Sequence, residues 1–127
     1  MIVVDTNLIV GFSLKGPHSD LARAVRRKDS HWIAPFLWES EFRNVMLKMI
    51  RGGVLGHEKA LEAYQLAKDA VQSVEISTAG ALRVAETHGL TAYDAEFASL
   101  AEWQDIRCVS FDDDLLKVGV AIHPRDF

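Results

Sequence analysis

The chain has 127 residues, of which 49% are hydrophobic and 25% are charged, with a formal net charge of −4 and a single cysteine, Cys108. This composition excludes a disordered chain, and the length fits a single domain over residues 1–127 with one hydrophobic core. One cysteine excludes an intrachain disulfide and fits a cytoplasmic location. No basic leader and no apolar run of about 20 residues is present, so neither a signal peptide nor membrane association is expected.

The first elements are predicted from short apolar runs and the polar residues that end them. The β-branched run 2–4 is typical of a buried strand and stops at Asp5. Gly16-Pro17 marks the loop that follows, and a helix is predicted from Ser19 or Asp20 to Lys28. Residues 31–34 form the second predicted strand, which ends at Pro35.

The middle of the chain is mainly helical. Apolar residues at spacings of three and four predict helices over 36–50 and 58–71. Residues 74–76 alternate as a short strand or an extended link, and Ser77-Thr78 begins a helix that ends at His88 before Gly89. A small, apolar helix is predicted over 91–103.

In the last third of the chain, the sequence predicts a buried strand over 106–110, a short helix over 112–118 and a final strand over 120–122. Strands and helices therefore alternate with short connections, which predicts an α/β layer sandwich with a mainly parallel sheet. The three tryptophans, Trp32, Trp38 and Trp103, are expected in the core.

Four carboxylates are expected at one edge of this sheet. Asp5 and Asp112 follow the first and fourth strands, where parallel sheets collect their ligands. Glu41 and Asp94 lie near the starts of helices that face the same edge. Because clustered carboxylates repel one another, the pattern predicts a site for Mg²⁺ or Mn²⁺, the hard cations that prefer oxygen ligands.

Each of these acids also has a purely structural interpretation. Asp is a preferred helix N-cap, and capping taken singly explains Asp5, Asp94 and Asp112. Glu39 competes with Glu41, and Asp114 competes with Asp112 if the strand ends two residues later. The net charge does not decide the partner, because 18 acidic residues less four bound to cations would equal the 14 Lys and Arg.

At these residues the sequence resembles the PIN domains of VapC-type toxins, along the whole chain. The opening Ile2-Val3-Val4-Asp5-Thr6-Asn7 is similar to the first strand and acid of that family. Glu41-Phe42-Arg43-Asn44, Tyr93-Asp94-Ala95 and Ser110-Phe111-Asp112 resemble the three further acidic elements, with Ser110 where Thr is commoner. Any one of these motifs is weakly specific for the family, whereas four of them in the expected order are strongly specific.

The resemblance implies a three-layer α/β/α sandwich of the PIN-like, 5′-nuclease-like type. It also implies a metal-dependent endoribonuclease that cleaves RNA by metal-activated water, the toxin of a type II toxin–antitoxin pair. The implied catalytic and metal-binding acids are Asp5, Glu41, Asp94 and Asp112. The accessory residues are Thr6, Asn7, Asn44 and Ser110. A cognate antitoxin and a homodimer are the further partners that it implies.

Three other functions stay open at this point. A PIN-like RNA- or protein-binding module without catalysis would be expected to lack one of the four acids, and none is missing. An RNA-processing nuclease that is not a toxin would use the same acids. A phosphotransfer enzyme of the haloacid dehalogenase type would need a second Asp two positions after Asp5, where this chain has Asn7.

Overall fold

The computed structural model describes residues Met1–Phe127 and shows a parallel sheet between helices. The strands are β1 (Ile2–Val4), β2 (Trp32–Pro35), β3 (Val71–Val74) and β4 (Cys108–Val109). The helices are α1 (Thr6–Ser13), α2 (Ser19–Lys28), α3 (Leu37–Arg51), α4 (His57–Ala70), α5 (Thr78–His88), α6 (Ala92–Gln104) and α7 (Asp113–Lys117), and a 3-10 turn spans Pro124–Asp126. The strand order is β3-β2-β1-β4, and every pair is parallel. The predicted α/β/α sandwich is confirmed.

Helix α1 is the main difference from the prediction, which had a loop after the first strand. Asp5 caps this helix, because its carboxylate accepts the Leu8 N–H at 2.9 Å. Leu8 and Ile9 are fully buried. The polar residues of this eight-residue helix, Thr6, Asn7 and Ser13, lie only at its two ends. It therefore has no polar stripe to produce a helical period, and the pattern did not reveal it.

Two strands also differ from the prediction. Strand β3 begins at Val71 rather than at residue 74, because Val71 pairs with Trp32. The predicted helix had extended through that valine. The predicted strand 120–122 is reduced to one parallel bridge between Val109 and Ile122.

The core encloses both faces of the sheet. Val3 and Val4 are fully buried in β1, and helix α6 contributes buried residues between Ala95 and Ala101. Trp32 and Trp38 are buried as predicted, whereas the prediction for Trp103 was wrong, since 71% of it is exposed. Trp103 lies near the end of α6, two residues after Ala101, the last buried residue of this helix.

The parallel topology brings the carboxyl ends of β1, β2 and β4 to one edge, with the starts of α3 and α6 beside them. This edge therefore holds the residues that follow the strands. The longest helix, α3, has 15 residues, and no helix combines the length and apolar character that crossing a bilayer requires.

Candidate functional site

A cleft of about 180 Å³ opens at the carboxyl edge of the sheet. It is lined by Asp5, Thr6, Asn7, Glu41, Asn44, Val45, Asp94, Phe97, Asp112 and Leu115. The four acids predicted from the sequence are all among them, and so are three of the four accessory residues. The fourth, Ser110, lies beneath the cleft, fully buried.

Asp5 forms the floor of the cleft. Only 4% of the residue is exposed, and its two carboxylate oxygens have separate partners. Oδ1 accepts the Leu8 N–H at 2.9 Å, and Oδ2 accepts the Ser110 hydroxyl at 2.6 Å. Burial nevertheless raises the pKa of Asp5 to about 6, and the nearby Asp112 carboxylate adds to the rise. The side chain is thus held by two hydrogen bonds, and its ionisation in this buried, acidic position is costly.

Glu41 and Asp94 form the walls. Glu41 lies on α3, where its Oε1 accepts the Thr6 hydroxyl at 2.7 Å. Burial raises its pKa, with further contributions from Asp94, Glu96 and Asp112. Asp94 lies in the first turn of α6, and its pKa is raised by burial and then by the charge of Asp112.

Asp112 and Ser110 connect the fourth strand to the cleft. Asp112 caps α7, because its Oδ1 accepts the Asp114 N–H at 2.9 Å and the Leu115 N–H at 3.1 Å. The Ser110 hydroxyl accepts the Asp112 N–H at 2.8 Å and donates to Asp5. One buried hydroxyl therefore fixes the relative positions of two acids. Asp5 and Asp112 thus each cap a helix and also line the cleft.

The structure separates the competing acids. Glu39 lies outside the cleft, where Tyr64 donates a hydrogen bond to it and Lys68 forms an ion pair with it at 3.2 Å. Asp114 is exposed, and its carboxylate lies with those of Asp94 and Asp112 within 4.8 Å of one another. Asp114 therefore lies with Asp94 and Asp112 as a further candidate ligand at the rim of the cleft.

One acid was missed by sequence reasoning. Glu96 lies two residues after Asp94 on α6, and its charge raises the pKa of Glu41. Burial raises the pKa of Glu96 as well. Its position in the first turns of a helix that starts at the sheet edge was the available signal, and it was the same signal that identified Asp94.

The donor set suits a hard divalent cation. All the charged groups that line the cleft are carboxylates, and Asn7 and Asn44 add amide oxygens. Three of the four acids have raised pKa values, because burial and mutual repulsion oppose their ionisation. A bound cation would remove this repulsion, and oxygen ligands of this kind are those that Mg²⁺ and Mn²⁺ prefer.

The sequence matches the family model described as the PIN domain over residues 2–121. The chain belongs to the PIN-domain family. This match confirms the resemblance noted from the sequence. Comparison with curated protein sequences finds no match.

Solved structures with the same fold cover almost the whole PIN domain. PAE2754 from Pyrobaculum aerophilum is 26% identical, with a TM-score of 0.77 over 98% of this chain and 90% of that one. A toxin–antitoxin complex from Klebsiella pneumoniae gives a TM-score of 0.71 at 12% identity over the whole of both chains. Mycobacterium tuberculosis VapC20, described as a sarcin-ricin loop cleaving toxin, gives 0.68 at 17% identity over 94% of this chain and 95% of that one.

Proposed function

We propose that this PIN domain is an endoribonuclease dependent on Mg²⁺ or Mn²⁺ and the toxin of a toxin–antitoxin pair. The observation that carries the proposal is the cleft itself, in which Asp5, Glu41, Asp94 and Asp112 face one another although their charges repel. Membership of a nuclease family supports a hydrolase that acts on nucleic acids. Structural likeness to VapC20 and to a toxin–antitoxin complex supports RNA as the substrate and toxicity as the role.

Each acid has a definite task in this mechanism. Asp5, Glu41 and Asp94 would hold the principal cation, and Asp112 would orient water or hold a second, weaker ion. A bound divalent cation supplies a Lewis acid that lowers the pKa of water and offsets charge on the phosphate. The chain needs no Ser, His or Cys nucleophile for such a reaction.

The accessory residues position the acids and the substrate. Thr6 holds Glu41 through its hydroxyl, and Ser110 holds Asp5 and the backbone of Asp112. Asn7 and Asn44 line the cleft without a side-chain partner in the protein, so their amides are available to a phosphate or a ribose hydroxyl.

The test is cleavage of a mixed RNA pool by the purified chain with Mg²⁺, with Mn²⁺ and with EDTA. Asp5→Asn and Asp94→Asn are expected to lose cleavage by at least about two orders of magnitude, the scale of losing charge stabilisation at a transition state. Asp69→Asn is the matched control, because Asp69 is an exposed acid on α4 that does not line the cleft. Folded wild-type protein that neither binds metal nor cuts RNA would overturn the proposal and favour the binding module.

An antitoxin partner would have a groove available beside the cleft. The groove has a volume of about 350 Å³ between α3 and α4 and is mainly apolar. Its walls include Leu47, which is 40% exposed, and Leu61, which is 59% exposed, whereas Phe42 and Met46 at its base belong to the core. Helix α3 separates the groove from the cleft, since Asn44 and Val45 line the cleft.

The toxin role, the cytoplasmic location and the homodimer belong to the same proposal. Expression of the chain should arrest bacterial growth, and co-expression of a small protein encoded beside it should restore growth. Light scattering after size exclusion should give a mass of roughly twice the 14.2 kDa of the chain. A monomer at micromolar concentration would contradict the homodimer without affecting the nuclease.

A further inference from the structure

Three rings from separate segments of the chain, those of His18, Phe111 and His123, meet beside the segment that carries Asp112. The His18 ring lies on the Phe111 ring with their centroids 3.9 Å apart and their planes inclined by 21°. The His123 ring packs against Phe111 in a T-shaped arrangement, with the two centroids 5.4 Å apart and the planes inclined by 88°. His18 is exposed, while Phe111 and His123 are half-buried. The stack therefore ends in an imidazole that is open to solvent.

The stack is joined directly to the candidate active site. Phe111 lies between Ser110 and Asp112 in the chain, and the Ser110 hydroxyl donates to the carboxylate of Asp5 at 2.6 Å. Consecutive Cα atoms are about 3.8 Å apart, so the ring begins one residue from an acid of the cleft. A nucleotide next to the phosphate in the cleft would lie within reach of these rings.

The charges around the stack are of both signs, whereas the charged residues that line the cleft are all acidic. Lys15 lies in the same loop as His18 and is exposed. Arg125 lies two residues after His123, and 68% of its side chain is exposed although its Nε lies 3.8 Å from Asp126 Oδ2. Exposed cations beside an open planar ring are the combination by which proteins bind single-stranded nucleic acid, in which bases stack and the backbone is attracted.

The loop that carries His18 is closely packed, so the ring is presented in a fixed position. Gly11 on α1 has no side chain, and a Cβ there would lie 2.9 Å from the Cβ of His18. The close approach of the loop to α1 thus depends on this glycine. A ring held in this way loses little conformational entropy when a ligand stacks on it.

We propose that His18 and Phe111 form a base-stacking platform that holds an unpaired base of single-stranded RNA next to the phosphate in the cleft. The inference rests on the proposed ribonuclease function and adds a base-binding surface beside the same site.

The test is the fluorescence anisotropy of a short labelled oligoadenylate bound to the full chain, with Asp94→Asn present throughout to prevent cleavage. His18→Ala should weaken binding about fivefold or more, the loss expected when one base loses its stacking partner. His18→Phe should retain affinity, because it keeps a planar ring. His31→Ala is the matched control, since His31 is exposed at the opposite edge of the sheet, before β2.

A second probe separates stacking from charge and from folding. An abasic ribose-phosphate chain of the same length should bind equally to the parent and to His18→Ala, because it offers phosphates without bases. Three outcomes would each overturn the platform. The first is that His18→Ala weakens the binding of both probes equally, and the second is that His18→Ala and His31→Ala bind oligoadenylate with equal affinity. The third is that the parent does not bind oligoadenylate. Cleavage of the mixed RNA pool by the wild-type chain tests the proposed nuclease independently of these results.

Discussion

Ser110 connects two candidate ligands through one buried hydroxyl. It donates to Asp5 Oδ2 and accepts the Asp112 N–H, so its removal leaves a buried carboxylate oxygen and a backbone N–H without these partners. We predict that Ser110→Ala lowers the free energy of unfolding by about 1–3 kcal/mol. It should also weaken Mg²⁺ binding, because two ligands lose their common support. Urea unfolding and calorimetric Mg²⁺ titration measure the two effects.

Two variants separate this positioning role from a general loss of a hydroxyl. Ser110→Thr keeps the hydroxyl and should keep the Mg²⁺ affinity. Ser13→Ala removes a hydroxyl that donates to the Ile9 carbonyl at 2.8 Å, away from the cleft, and should leave Mg²⁺ binding unchanged. Wild-type Mg²⁺ affinity in Ser110→Ala would show that the hydroxyl does not position the acids.

The positions of the four acids could be predicted residue by residue, whereas their contacts could not. Asp5 and Asp112 follow strands and Asp94 begins a helix, so chain order and parallel topology are sufficient to bring them to one edge. The Thr6–Glu41 hydrogen bond joins residues 35 apart in the chain and depends on rotamers set by tertiary packing. The contacts of Glu39 with Tyr64 and Lys68 also depend on tertiary packing, and they hold Glu39 outside the cleft.

At the scale of elements, Glu39 attaches the first turn of α3 to α4 and so fixes the helix that carries Glu41. The Tyr64 hydroxyl donates to Glu39, and this hydrogen bond is the main cause of the lowered pKa of that carboxyl. We predict that Tyr64→Phe lowers the free energy of unfolding by about 2 kcal/mol near neutral pH, the scale of a hydrogen bond to a charged group. Chemical denaturation measures this loss.

The pH dependence of this effect has a definite sign. A carboxyl whose pKa is lowered by folding contributes stability above its unfolded pKa and loses it as the pH falls through the folded value. The loss caused by Tyr64→Phe should therefore shrink in acid. Tyr93→Phe is the matched control, because Tyr93 is 64% exposed and its hydroxyl has no protein partner. An equal loss in both variants would contradict the anchoring role of Tyr64.

The elements that could be predicted were those with a clear hydrophobic period or with residues that clearly end a helix. Helices α2 and α5 end as expected at Lys28 and His88, the second of them before Gly89 in the left-handed conformation. Helix α1 could not be predicted because its polar start, Asp5, is also the natural end of a strand. The start of β3 could not be predicted because only pairing with β2 distinguishes Val71 from the last turn of α4.

At the scale of the whole molecule, the cleft concentrates negative charge at a cost to stability. Burial raises the pKa values of Asp5, Glu41, Asp94 and Glu96, and repulsion from neighbouring carboxylates adds to the rise for the first three. A folded state with raised pKa values binds more protons than the unfolded chain, so its stability is greatest below the unfolded values and falls as the pH rises through the folded ones. The metal-free protein should thus be less stable at neutral pH than in weak acid.

We predict that in EDTA the free energy of unfolding falls between about pH 4 and pH 7. Asp5 alone accounts for roughly 3 kcal/mol, since its pKa rises from 3.8 to about 6 on folding. Mg²⁺ should restore stability near pH 7, because it binds the folded state and removes the repulsion. Asp5→Asn should flatten the pH profile in EDTA and reduce the stabilisation by Mg²⁺, whereas Asp69→Asn should do neither. Urea unfolding of the wild type and of the two variants across this pH range measures these effects. A free energy of unfolding that rises towards pH 7 for the wild type in EDTA would contradict the clustering of charge in this cleft.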